Sequence, residues 1–169
     1  HLPLARDAAR IEELFDGIVA RYDVMNRLMT AGMDRRWRRL AVAQAALRPG
    51  DATLDVCCGT GDLAFTVADH CPSCRVTGLD FSEVMLARAR EKDAARRREA
   101  RTPVTFVRGD ALALPFTDAT FAAVTVGVGV RNVPDVPRVF AEMARVTRPG
   151  GRVVCLELTQ TPPGFGRRF

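Results

Sequence analysis

The stretch Leu54-Asp55-Val56-Cys57-Cys58-Gly59-Thr60-Gly61-Asp62 constrains this chain more than any other. The apolar run Ala52 to Cys57 reads as a buried strand. It meets two closely spaced glycines and then a helical pattern from about Asp62 to His70. Glycine lets the backbone take tight turns and lets a ligand approach it closely. A strand that turns on glycine into a helix is the opening unit of an alternating parallel sheet. Ligands of such sheets bind at the carboxyl ends of the strands.

The rest of the chain repeats the unit. Arg75 to Asp80, Val104 to Arg108, Phe121 to Val128 and Arg152 to Leu158 read as further strands. Ser82 is a candidate N-cap for a helix through Glu99, with Val84, Met85, Leu86 and Ala89 on its apolar side. A helix from Val136 to Thr147 turns Val139, Phe140, Met143 and Val146 inward and stops before Pro149-Gly150-Gly151. Asp110 to Thr120 joins two strands without a clear helix. Ahead of the sheet, Ile11, Leu14, Phe15, Ile18, Val19, Tyr22 and Met25 form an amphipathic stripe, and a second helix spans Asp34 to Leu47. The expected fold is α/β, a doubly wound and mostly parallel sheet preceded by helices. Residues 1–48 form a helical, substrate-side cap, and residues 49–169 form the α/β domain. His1 in place of a methionine, and the closing run Pro162 to Phe169, read as cuts in a longer chain, with C-terminal strands missing.

Three acidic residues at successive strand ends narrow the ligand. Asp55 stands near the end of the first strand and is expected to point into the site. A carboxylate there repels a pyrophosphate but accepts hydrogen bonds from an ammonium group. A dinucleotide site asks for G-x-G-x-x-G. Here Gly59 and Gly61 are followed by Ala64, a mild departure. Asp80 ends the second strand, roughly 20 residues on, where an acid can take both ribose hydroxyls. Asp110 follows the third strand and could accept from an adenine amino group. An aspartate at a strand end can equally be a helix cap, but three around one glycine turn favour a nucleoside that ends in an amino acid and carries no phosphate. That ligand is S-adenosylmethionine.

Composition excludes several other classes. No apolar run approaches the ~20 residues needed to span a bilayer, and no signal peptide is visible. Five cysteines without regular spacing are not a disulfide framework, so a reducing cytoplasm is expected. Cys71-Pro-Ser-Cys74 could be redox-active or half of a zinc site, but it lacks the partners of a zinc site and reads as two ordinary cysteines in a helix-to-strand turn; no metal is expected. The net charge of +5 comes from 24 arginines and a single lysine, Lys92, against 20 acids. Nucleic acid, anionic membrane or an acidic substrate could use it.

Two segments carry a narrower likeness. Tyr22-Asp23-Val24-Met25-Asn26, continuing from Thr30 to Trp37, is one. Arg145-Val146-Thr147-Arg148-Pro149-Gly150-Gly151-Arg152, running on to Glu157, is the other. With Leu114-Pro115-Phe116 and Val130-Arg131-Asn132-Val133 between them, the chain resembles the class I S-adenosylmethionine-dependent methyltransferases, with their Rossmann-like fold. More narrowly, it is similar to the C-methyltransferases of menaquinone and ubiquinone biosynthesis, from about Phe15 to Thr159. The resemblance implies methylation of a ring carbon of a prenylated quinol such as demethylmenaquinol. Tyr22, Arg131 and Asn132 would be the catalytic residues. Asp55, Gly59, Thr60, Gly61, Asp80, Phe81, Asp110, Ala111 and Gly127 would hold the cofactor. The chain departs from the family where Asp34 replaces histidine and where Gly127 replaces the serine of some members. Cys58, taken as the first glycine position of the loop, is expected to resist a positive φ there. The family's chain also continues past Phe169 with strands that complete a seven-stranded sheet.

Chemically, Arg131 suits a fixed cation beside a developing oxyanion, and Asn132 could orient a ring oxygen. Tyr22 could bond another, though its place on an apolar stripe equally suits a core residue. Arg35-Arg36-Trp37-Arg38-Arg39 suits an anionic membrane surface at the inner face of the membrane, or a surface helix with Trp37 inward. Three alternatives stay open: a class I methyltransferase for another small molecule, an RNA methyltransferase, and a nucleoside-binding module without catalysis. No appended RNA-binding module and no cysteine nucleophile follows the fourth strand, so no nucleic-acid partner is expected.

Overall fold

A computed structural model describes residues 33–130 and 133–157. The N-terminal stripe from Ile11 to Met25, Tyr22 within it, and Arg131-Asn132 lie outside the described residues. The described chain runs α1 (Asp34–Gln44), β1 (Ala52–Val56), α2 (Asp62–His70), β2 (Arg75–Asp80), α3 (Glu83–Arg98), β3 (Val104–Arg108), β4 (Phe121–Val126), α4 (Val136–Val146) and β5 (Thr147–Cys155). The five strands form one sheet in the order β3-β2-β1-β4-β5, and every pairing is parallel. The order reverses at β1. The chain steps outward through β2 and β3, then returns to lay β4 on the other side of β1. The carboxyl ends of β1 and β4 therefore flank the topological switch point, where sheets of this kind bind their ligands.

Strand periodicity sorts the core into two layers. Leu54 and Val56 of β1 and Val124 and Val126 of β4 pack with Val139, Met143 and Val146 of α4. A second cluster joins Leu63, Ala64, Phe65, Val67 and Ala68 of α2 to Val76, Val104 and Val42 of α1. Successive side chains alternate between faces. Asp55 and Thr125, which are register partners, therefore face away from the α4 cluster and toward α2. α1 packs on α2 and β5, and α3 lies against β2 and β3.

The local rules held for most elements. Ser82 caps α3 by accepting from the Met85 N–H at 3.4 Å, and Asp135 caps α4 by accepting from Arg138 N–H at 3.0 Å. Leu86 and Ala89 are buried as expected, while Val84, Met85 and Phe140 are only half-buried. α1 ends at Gln44, before Leu47, and β4 ends at Val126, before Val128.

β5 differs most. It starts at Thr147, not Arg152, and the helix before it stops at Val146. Thr147 already pairs with Phe121, and the register then shifts before Ala123 meets Arg152. The intervening Pro149-Gly150-Gly151 bulges out without ending the strand. Gly150 has φ +77°, and a Cβ on Gly151 would stand 2.6 Å from the Ala122 carbonyl oxygen, so only glycine fits there.

Cys71 and Cys74 form a disulfide, which corrects the expectation of two ordinary thiols. The turn between α2 and β2 bonds Cys74 N–H to the Cys71 carbonyl at 2.9 Å and sets the two Cα atoms 5.3 Å apart, within bridging distance. No helix among the described residues is long and apolar enough to cross a membrane.

Candidate functional site

The site grows from the turn between β1 and α2. Cys57, Gly59 and Gly61 take positive φ values of 53°, 54° and 88°. The cysteine at positive φ is Cys57; Cys58 does not take one, in keeping with the expectation that its Cβ resists it. Leaving β1, the chain must reverse hand at the first residue past the strand, and Cys57 occupies that place. Gly61 has a further reason to lack a side chain. A Cβ there would lie 2.9 Å from Phe106 Cζ and 3.0 Å from Phe65 Cε2, two rings packed edge to face.

Neighbouring strands hold the turn. The Cys58 N–H donates to the Leu79 carbonyl at 3.0 Å, and the Gly59 N–H donates to Asp80 Oδ2 at 2.8 Å. Asp80 Oδ1 accepts from the Ser82 N–H at 2.9 Å. The carboxylate at the end of β2 thus shapes the glycine turn and the entry to α3 together. Each oxygen keeps a second lone pair for a hydroxyl donor. Phe81 follows with 70% of its surface exposed, the Arg108 guanidinium 5.8 Å from its ring centre. Asp110, exposed, folds its own loop by accepting from the Leu112 N–H at 2.8 Å, and Ala111 is buried beside it. Gly127 leaves room past β4, where a Cβ would approach Leu63 Cδ2 to 3.3 Å.

Asp55 is less open than its sequence position suggests. It is 1% exposed, on the face covered by α2. Oδ1 accepts from the Thr125 hydroxyl at 2.7 Å, and Oδ2 has no hydrogen-bond partner among the described residues. Burial pushes its pKa up to about 7. The Thr125 hydroxyl and the nearby Ala64 N–H oppose the rise, while the Asp80 charge adds to it. The thiols are no better placed as nucleophiles. Burial raises Cys57 to about 12 and raises Cys58 further still.

Two groups to which the sequence reading gave no site role complete the frame. Lys92 reaches from α3 to Asp62 Oδ1 at 2.5 Å and Thr60 Oγ1 at 3.1 Å, and Arg38 of α1 meets Asp62 Oδ2 at 2.6 Å. Burial alone would raise the Asp62 pKa, but Lys92 and then Arg38 overcome it and the net shift is downward. The only signal for this in the sequence was the lone lysine among arginines. On the α4 side, Arg145 forks onto Glu142 at 2.9 and 2.7 Å. It also donates to the carbonyls of Leu114 and Phe116, at 3.0 and 2.8 Å. Glu142 in turn accepts from the Leu114 N–H at 2.9 Å. This pair locks the loop that begins at Asp110. In the sequence, Arg145 and Leu114-Pro115-Phe116 stood out only as segments of the family likeness, and the acid and base three residues apart on a helix hinted at the pair.

Of the expected site residues, Asp55, Gly59, Thr60, Gly61, Asp80, Phe81, Asp110, Ala111 and Gly127 all lie at or just past the carboxyl ends of β1 to β4. Tyr22, Arg131 and Asn132 lie outside the described residues. In the Arg35–Arg39 stretch, Arg35, Arg36 and Arg39 are exposed. Arg38 is drawn into pairs with Asp34 and Asp62, and Trp37 is half-buried.

Comparison with known proteins agrees with this arrangement. The ubiE/COQ5 methyltransferase family model matches residues 4–164. A demethylmenaquinone methyltransferase of Shouchella clausii is 45% identical over 95% of this chain and 68% of its own length. A 2-phytyl-1,4-naphtoquinone methyltransferase of Synechococcus elongatus is 45% identical over 98% of this chain and 70% of its own. Across such curated relatives the chain spans between 59% and 70% of their length. A solved protein from Methanococcus maripaludis shares the fold, with a TM-score of 0.70 over 84% of this chain and 63% of its own at 20% identity.

Proposed function

The chain belongs to the ubiE/COQ5 methyltransferase family, a family of S-adenosylmethionine-dependent enzymes, and from that premise we propose that it methylates a ring carbon of a prenylated quinol of the demethylmenaquinol type. The observation that carries the cofactor part is the bond between Asp80 and the Gly59 N–H. It joins an acid at the end of β2 to the glycine turn of β1, beside the exposed ring of Phe81. Hydroxyl acceptors, a close backbone and an aromatic face together suit a ribose and an adenine. The unpartnered buried oxygen of Asp55 suits the ammonium end of the same molecule. S-adenosylmethionine supplies an electrophilic methyl group when bound. Asp55, Gly59, Thr60, Gly61, Asp80, Phe81, Asp110, Ala111 and Gly127 would hold it.

The chain's own residues would do the rest. A quinol ring carbon is a weak nucleophile until a ring hydroxyl loses its proton. Arg131 would stabilise the resulting oxyanion, Asn132 would orient a ring oxygen, and Tyr22 would bond another or cover the pocket. In the sequence, Arg131 comes five residues after Val126, the last residue of β4. An arginine is not a base at neutral pH, so the ring proton would leave through a bound water. Residues 1–48 would supply the substrate side. The test is product formation from a demethylated quinol by the complete protein. Arg131→Ala should lower it by about 100-fold or more, and Tyr22→Phe by roughly 10-fold. Near wild-type rates in both would sink the assignment.

A prenylated substrate also calls for access to a membrane. Arg35, Arg36 and Arg39 are exposed on α1, and Leu40 beside them is 56% exposed. This face would meet anionic lipid. Co-sedimentation with vesicles should need anionic lipid and weaken with salt, and indifference to both would reject the contact.

A further inference from the structure

The glycine turn is pinned from three directions. β2 holds it through the Leu79 carbonyl and Asp80. α1 reaches Asp62, at its far end, through Arg38. α3 reaches both Thr60 and Asp62 through one ammonium group, that of Lys92. Thr60 is 4% exposed and sits between the two glycines, so a bond to its hydroxyl fixes the middle of the turn. The Lys92 ammonium also lies 5.9 Å from the centre of the Phe65 ring, one of the two rings against which Gly61 is seated.

The identity of the residue matters here. Of the chain's 25 basic residues, 24 are arginine, and this one is lysine. A guanidinium is a flat, wide fork suited to one planar acceptor. An ammonium is compact and directs three donors from one point. Two oxygens on residues two apart, above an aromatic ring, suit the ammonium. Asp62 opens α2, where the backbone N–H groups point toward an incoming anion. An unpaired carboxylate there would oppose the carboxylate of an amino-acid ligand. Lys92 and Arg38 each take one of its oxygens.

We propose that Lys92 is a positioning residue for the cofactor: without touching the ligand, it holds Thr60 and Asp62 so that the Gly59–Gly61 turn is already shaped to receive the amino-acid end of S-adenosylmethionine. The inference rests on the cofactor reading given above, and its test separates the two. S-adenosylhomocysteine is titrated calorimetrically into the complete protein, at a temperature where every variant is folded by circular dichroism. Lys92→Met should weaken binding about 10-fold, and Lys92→Arg about 3-fold. Arg90→Met, two residues away in a surface pair with Glu83, should bind as the wild type does. Amide exchange in the unliganded protein should quicken at residues 58–62 in Lys92→Met and stay unchanged in β1 and β4.

Wild-type affinity in Lys92→Met overturns the inference while leaving the cofactor reading intact. Weakened binding without faster exchange in the turn also overturns it, because Lys92 would then act on the ligand directly. A wild-type protein that binds no S-adenosylhomocysteine overturns both readings. If Lys92→Met does not fold, Lys92→Arg decides the matter, and unchanged affinity in that variant overturns the proposal.

Discussion

Asp55 and Glu142 are both buried carboxylates, 1% and 5% exposed, and their surroundings treat them in opposite ways. Glu142 has every reason to be charged. Arg145 forks onto it, the Leu114 N–H donates to it, and Arg138 stands 3.5 Å away. These contacts, the Arg145 bonds foremost, overcome desolvation and hold its pKa near 2. Asp55 has one hydroxyl partner and one oxygen with none among the described residues, and desolvation lifts its pKa to about 7. The first carboxylate is fully satisfied within the fold. The second keeps one oxygen without a hydrogen-bond partner among the described residues.

The largest expected effect breaks the contrast at Asp55. If its free oxygen receives a ligand ammonium, Asp55→Asn should cost about 2–4 kcal/mol of S-adenosylhomocysteine affinity, roughly 30- to 1000-fold. Affinity within threefold of wild type would show that this carboxylate is not waiting for a ligand. The same substitution should act with the opposite sign on the unliganded protein. The folded pKa of Asp55 is raised above its ordinary 3.8 to about 7. The unfolded chain therefore ionises first, and stability is lost as pH rises from about 4 to about 7. Asp55→Asn removes that loss, so its unliganded form should be more stable than wild type at pH 8, by on the order of 2 kcal/mol, and no more stable at pH 3.5. Denaturant melts at the two pH values check this, and a gain of equal size at both would reject it.

Glu142 supplies the smaller and opposite effect. Its folded pKa is depressed below the ordinary 4.5 to about 2. Its contribution is therefore whole above pH 4.5 and is lost as pH falls toward 2. Glu142→Gln should lower the Tm at pH 7 by roughly 5 °C, and the gap should shrink as pH falls below 4.5 and close only below about pH 2. A gap that does not shrink in acid would mean that shape, not charge, holds the loop. A loosened loop should also leave Asp110 and Ala111 less well placed.

Much of this architecture was legible in advance, because it follows from local rules. Apolar runs gave β2 and β3 their limits and β1 all but its last residue, and Ser82 announced α3 by its capping chemistry. The glycine turn and the acids at the strand ends were visible because tight turns and strand ends leave residue types behind. β5 was misplaced because a strand that bulges at Pro149-Gly150-Gly151 looks, in sequence, like a strand that has not begun. The positive φ at Cys57 was not foreseen. Spacing alone does not say at which residue a chain reverses hand as it leaves a strand. The disulfide between Cys71 and Cys74 was set aside because the spacing alone suits a bridge, half a zinc site or two free thiols equally, and only the turn brings the two Cα atoms 5.3 Å apart.

What the sequence determined by itself, then, was the order of strands and helices, the glycine turn, and the acids that gather around it. These depend on residues near one another along the chain. Only the tertiary structure decided which acids are satisfied. Asp55 and Thr125, and Glu142 and Leu114, stand 70 and 28 residues apart. The separation of 32 positions between Thr60 and Lys92 hides their contact just as well. Whether a buried charge has a partner depends on distances of a few ångströms across the sheet, and sequence spacing carries no record of them.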